Sequence, residues 1–201
     1  MYFDDFWTEF LGDKGARIQG INTVKDIKSQ KGDCVEAILV IDMLDDFVTG
    51  ELKCERAQKI IPNIKKLIES ARKKGIPVIY SNDAHLQTDS ELGKWGKHAM
   101  KGTKEAEVIP RLKPDKKDYV LEKRVYSGFF ETGLDSLLRN LKVDTVILTG
   151  LHTNLCVRHT AADAFFRGYK IKIPKDATEA FTENAYKEGL QYLKEYYNAE
   201  I

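Results

Sequence analysis

Short apolar runs alternate with longer stretches of helical period from about residue 36 to the end of the chain. The runs Glu36–Met43, Pro77–Ser81, Tyr119–Leu121, Thr145–Thr149 and Tyr169–Ile173 read as strands, and Asn198–Ile201 as a short sixth. Thr145–Thr149 is β-branched and uncharged, which suits a strand covered on both faces. Between the runs, Pro62–Lys74 places Ile64, Leu67, Ile68 and Ala71 on one face, opens on a proline and is stopped by Gly75. Leu134–Leu141 and Glu183–Tyr197 read as further helices. After Gly150 a polar turn leads to another: Thr153 is the expected N-cap, Leu155, Val157, Ala161, Ala164 and Phe165 recur at helical spacing, and Gly168 ends it. This rhythm predicts an α/β fold, a three-layer sandwich with a mostly parallel sheet of about six strands and helices on both faces.

Composition narrows the class. The 32 basic and 31 acidic residues nearly cancel, so nothing marks a nucleic-acid or anionic-membrane surface. No apolar run approaches a membrane span, and MYFDDFWTEF is too acidic for a signal peptide. Cys34, Cys54 and Cys156 form neither a disulfide framework nor a CxxC pair. A cytoplasmic enzyme-like domain over 34–201 is expected, preceded by an extension, 1–33, whose aromatic start (Tyr2, Phe3, Phe6, Trp7) suits packing on the domain or on a neighbouring subunit. Neither a P-loop nor a G-x-G-x-x-G is present, so no nucleotide cofactor is expected.

Three expected strands lead into a polar residue that buries badly without a partner: Asp42, Lys123 and Cys156. Adjacent parallel strands bring their C-terminal ends together, where open α/β sheets place their sites. Cys156 falls in the first turn of a helix, where free backbone N–H groups favour a thiolate or a developing oxyanion. A carboxylate beside it can take the thiol proton, and a nearby ammonium is expected to lower the thiol's pKa. A buried Asp–Lys ion pair with an unrelated core cysteine accounts for the same residues.

DMLDDF at 42–47, EKRVYSGF at 122–129 and TGLHTNLCVRHTAADAFFRGY at 149–169 resemble the three signature blocks of the isochorismatase-like cysteine hydrolases, a superfamily that includes nicotinamidases and N-carbamoylsarcosine amidases. The blocks stand in the family's order, and the resemblance runs from about Ala37 to the C-terminus. It implies Cys156 as nucleophile, Asp42 as general base and Lys123 as the third member of a triad. It also implies a cis peptide at Leu151–His152, with the backbone N–H groups of His152 and Cys156 forming an oxyanion hole. The activity implied is hydrolysis of a small carboxamide or ureido compound through a thioester. A non-amide isochorismatase-type hydrolase and a non-catalytic, redox-sensing member of the scaffold remain alternatives. Dimers or tetramers are implied as well.

Asp83, His85 and His98 follow the second strand in the order D-x-H…H, with Trp95 three residues before His98. Nicotinamidases hold a divalent metal with residues placed this way, and a carboxylate with two imidazoles suits zinc, with iron or manganese as alternatives; exposed loop histidines are the competing reading. Phe47, Trp95, Tyr126 and His152 are candidate pocket walls. The chain departs from nicotinamidases at Leu44, Ala99 and His152, which bears on the substrate more than on the reaction.

Overall fold

The computed structural model describes residues 34–201; the aromatic extension and the subunit contact expected of it lie outside the described residues. In chain order the elements are β1 (Glu36–Ile41), α1 (Asp45–Val48), α2 (Ala57–Lys74), β2 (Val78–Asp83), α3 (Leu92–Trp95), β3 (Tyr119–Lys123), α4 (Leu134–Asn140), β4 (Thr145–Leu151), α5 (Cys156–Phe166), β5 (Lys170–Lys172), β6 (Thr178–Glu179) and α6 (Glu183–Tyr197). The six strands form one sheet in the order β3-β2-β1-β4-β5, with β6 pairing β4, and every pairing is parallel.

Alternation along the strands builds the two cores. Ile38 and Val40 of β1 face α2, where Ile60, Ile61, Ile64 and Ile68 are buried. Ala37, Leu39 and Ile41 point the other way, onto Leu134 and Leu138 of α4, Val157 and Ala161 of α5 and Leu193 of α6. Strand order reverses between β1 and β4, so a crevice opens at their carboxyl ends. The two strands approach closely there: Gly150 has φ +101°, and a Cβ at that position would stand 2.0 Å from the Ile41 carbonyl oxygen.

Strand ends move by up to two residues, which puts Asp83 inside β2 rather than after it, and three further features differ from the sequence expectation. The sixth strand is Thr178–Glu179; the C-terminal tail makes only an isolated bridge, Lys172 to Glu200. A two-residue strand has too little pattern to be read from sequence. The helix expected to open at Pro62 starts at Ala57 and carries the proline inside, giving up one hydrogen bond to keep Ala57, Ile60 and Ile61 in the core. Thr153 caps nothing: its hydroxyl pairs with that of Thr178 at 2.9 Å, and Leu155 holds the N-cap position of α5.

Candidate active site

Each predicted triad residue stands at or just beyond a strand end. Asp42 follows β1 with φ +52°, turning its side chain out of the strand path. Its backbone N–H donates to the Ser81 carbonyl at 3.2 Å, and its Oδ1 accepts from the Asp83 backbone N–H at 2.8 Å. Lys123 ends β3 and is paired in register with Asp83, which ends β2. Side chains at one register position share a face, so the ammonium meets that carboxylate directly. Lys123 Nζ lies 2.8 Å from Asp42 Oδ2 and 2.5 Å from Asp83 Oδ1. Cys156 opens α5, beyond β4. Its sulfur and one carboxylate oxygen each from Asp42 and Asp83 lie within 4.8 Å of one another, all three residues buried.

Two carboxylates share one ammonium here, and that ratio sets the protonation states. Burial and the neighbouring Asp83 push Asp42 up to about 6, against the pull of Lys123. Burial would raise Asp83 too, but Lys123 and His85 outweigh it and hold this carboxyl below its ordinary range. Burial opposes the Lys123 charge, yet both carboxylates overcome it and keep the ammonium well above its usual pKa. Burial, with Asp42 and Asp83, holds Cys156 well above its ordinary value; Lys123 pulls the thiol down as expected but is outweighed. The arrangement stores a neutral thiol beside a carboxylate able to take its proton during attack.

The peptide Leu151–His152 is cis. Among the described residues neither the His152 nor the Cys156 backbone N–H donates a hydrogen bond, which leaves both for a ligand oxygen. A narrow cleft opens at Cys156 and Asp42. The predicted Phe47, Trp95, Tyr126 and His152 all line it, joined by Leu52, Glu91, Leu155 and Phe181, which sequence reasoning missed. Trp95 Nε1 donates to the Tyr126 hydroxyl at 2.8 Å, fixing both rings. Phe181 stacks between His152 (centroids 4.0 Å apart) and Trp95 (6.3 Å).

Asp83, His85 and His98 also come together, each offering one ligand atom within 4.8 Å of the others, and all are buried. The His98 Nδ1 lies 2.8 Å from the Gly96 carbonyl oxygen, so the proton is on Nδ1 and Nε2 is the atom left for a metal. Asp89 does the same for His85: its Oδ2 lies 3.0 Å from Nδ1 and also accepts the Leu86 N–H at 2.9 Å. The His85 Nε2 is buried with no hydrogen-bond partner among the described residues, 3.7 Å from Asp83 Oδ2. This donor set, with an outer carboxylate orienting an imidazole, fits a divalent ion such as zinc. Asp89 itself was missed in sequence, although a carboxylate four residues after His85 was a visible signal.

Residues 36–201 match a family model described as the isochorismatase domain. The crystal structure of N-carbamoylsarcosine amidase from Thermoplasma acidophilum is 44% identical, with a TM-score of 0.78 over 82% of this chain and 94% of that one. Nicotinamidase 3 of Arabidopsis thaliana is 32% identical over 79% of this chain and 80% of its own length. The crystal structure of pyrazinamidase of Pyrococcus horikoshii in complex with zinc is 28% identical, with a TM-score of 0.78 over 83% of this chain and 98% of that one. Among the described residues no helix is long and apolar enough to cross a membrane.

Proposed function

Since the chain belongs to the isochorismatase family of hydrolases, we propose that it is a cysteine-dependent amidohydrolase acting on a small, uncharged carboxamide, nicotinamide being the first compound to test. The observation that carries this reading is the buried set of Asp42, Lys123 and Cys156 at the mouth of an aromatic cleft.

The chemistry follows from the protonation states. Cys156 Sγ attacks the amide carbon as its proton passes to Asp42, and the carbonyl electrons move onto oxygen. That oxyanion meets the free N–H groups of His152 and Cys156. Collapse expels ammonia, which takes its proton from Asp42, and leaves a thioester. Water, deprotonated by Asp42, then attacks the thioester; the acid leaves and the thiol is restored. Lys123 never gives up its proton: it fixes the Asp42 carboxylate in place. Asp83, His85 and His98 are the residues that would hold a divalent metal, which when bound supplies a Lewis-acid centre beside the cleft.

Charge argues for the uncharged substrate. Asp42, Asp83 and Glu91 line the cleft, and among the described residues no lysine or arginine does. A substrate carboxylate would be desolvated without a cationic partner there, which disfavours N-carbamoyl amino acids and the dianionic isochorismate. Ammonia release from nicotinamide, pyrazinamide, N-carbamoylglycine and ureidoacrylate tests the reading, with Cys156→Ala run in parallel. Release from the neutral amides that disappears in Cys156→Ala is expected. Turnover at the wild-type rate in that variant defeats the mechanism, and faster turnover of the anionic substrates defeats the charge argument.

A further inference from the structure

The other polar groups that line the cleft have partners or chemistry of their own. Asp42 and Asp83 are paired with Lys123, His98 gives Nδ1 to Gly96, and the Tyr126 hydroxyl receives Trp95. Glu91 is partly open to solvent. His152 differs from all of these. Its side chain is in the cleft wall, the residue is only 4% exposed, and neither Nδ1 nor Nε2 has a hydrogen-bond partner among the described residues. Buried polar atoms are rarely left in this state without a reason.

The ring has little freedom to turn away and find water. Phe181 stacks on its face at 4.0 Å with 25° between planes, and Phe47 meets it edge-on at 6.0 Å and 79°. Its backbone carbonyl accepts from the Leu155 and Val157 N–H groups. Burial pushes its pKa down to about 4, so the imidazole is neutral at pH 7 and offers one donor and one acceptor. Trp95, Phe181 and His152 follow one another in a stack along one side of the cleft, an aromatic lining for an aromatic ligand.

Resting on the amidase reading above, we propose that the His152 imidazole reads the substrate: it hydrogen-bonds a heteroatom in or on the ring of a planar carboxamide, and so selects that compound over its hydrocarbon analogue. A site built to satisfy such a group rejects a ligand that leaves it unpaired.

Pyridine-3-carbaldehyde and benzaldehyde test this without turnover. Each adds the Cys156 thiol reversibly: the S–C bond forms, the carbonyl π bond opens, and the thiol proton ends on the oxygen as a thiohemiacetal. Dissociation constants are measured calorimetrically in EDTA, so that the ring nitrogen meets no metal. Comparing variants through the ratio of the two constants cancels the aldehydes' different intrinsic reactivity. His152→Phe keeps an aromatic ring at this position and should reduce the preference for the pyridine over benzaldehyde at least about tenfold. His152→Gln, which restores a donor and an acceptor, should keep the preference within about threefold of wild type. A preference unchanged in His152→Phe, with binding still abolished by Cys156→Ala, overturns the role of His152 alone. No binding to the wild-type protein, or binding that Cys156→Ala leaves unchanged, overturns the nucleophile assignment and the proposal with it.

Discussion

Replacing Lys123 with methionine keeps most of the length of the side chain, stopping one atom short of Nζ, and removes its charge from between two buried carboxylates. The ammonium lies 2.8 Å from Asp42 and 2.5 Å from Asp83, with the Lys123 side chain 0% exposed. At an effective dielectric of about 20, each contact is worth about 6 kcal/mol of Coulomb energy. The methionine no longer bears the several kcal/mol needed to strip water from an ammonium, and one carboxylate can relieve the repulsion by taking a proton, so the net loss falls to about 3–5 kcal/mol. That is a large fraction of the roughly 5–15 kcal/mol that holds a typical domain together. Urea denaturation at pH 7 in EDTA measures it directly. Lys123→Met should lose about 3–5 kcal/mol, and Asp83→Asn in the same chain should recover at least about half, because only Asp42 then remains as an unpaired acid. Both variants should lack hydrolase activity, since neither keeps the ammonium that fixes Asp42. A Lys123→Met protein within about 1 kcal/mol of wild type would show that the ion pair is not buried as described, and the reasoning about the site's charge states would fall with it.

Asp89→Asn should weaken zinc binding about ten- to hundredfold in competition with a chromophoric chelator, because Asp89 orients the His85 ring; affinity within threefold of wild type would leave that orientation to other groups. Gly150→Ala should cost at least about 3 kcal/mol in chemical denaturation, combining a left-handed φ with a contact on the Ile41 carbonyl; a small loss would mean that β1 and β4 can part there cheaply. The Tyr80 phenol is buried and held up to about 12 from an ordinary value near 10. Its folded-state pKa is raised, so its contribution is complete below pH 10 and is lost as pH climbs through 12. Removing the hydrogen bond to the Leu112 carbonyl should make Tyr80→Phe about 1 kcal/mol less stable at pH 7. The variant should nevertheless lose about 2–3 kcal/mol less than wild type between pH 9 and 12. Parallel stability curves for the two proteins over that range would contradict the burial argument.

What could be read in the chain, and what could not, divides along the range of the interactions. Asp42 and Lys123 were visible because each stands where an apolar run ends, Cys156 because it opens the helix after such a run, and the three signature blocks contain all three. Gly75 was legible as a helix stop for a local reason: it takes φ +70° at the end of α2. The second bond of Lys123, to Asp83, was not legible, because it depends on the register of β2 against β3. The direction in which the Cys156 thiol shifts was likewise out of reach: a sequence shows that a lysine is available, but not that burial and two carboxylates outweigh it. Thr153 looked like a cap for the same kind of reason. Its alternative partner, Thr178, arrives from a strand of two residues that leaves no periodic trace. The cleft wall is the extreme case. Trp95, His152 and Phe181 stack although they come from α3, from just beyond β4 and from just beyond β6, so no local window of sequence contains their contact. The candidate chemistry was therefore legible from residues whose strands bring them to one end of the sheet, whereas the selectivity proposed above draws on side chains that only the folded chain assembles. The aldehyde ratio measured on His152→Phe bears on that second layer, and urea denaturation of Lys123→Met bears on the first.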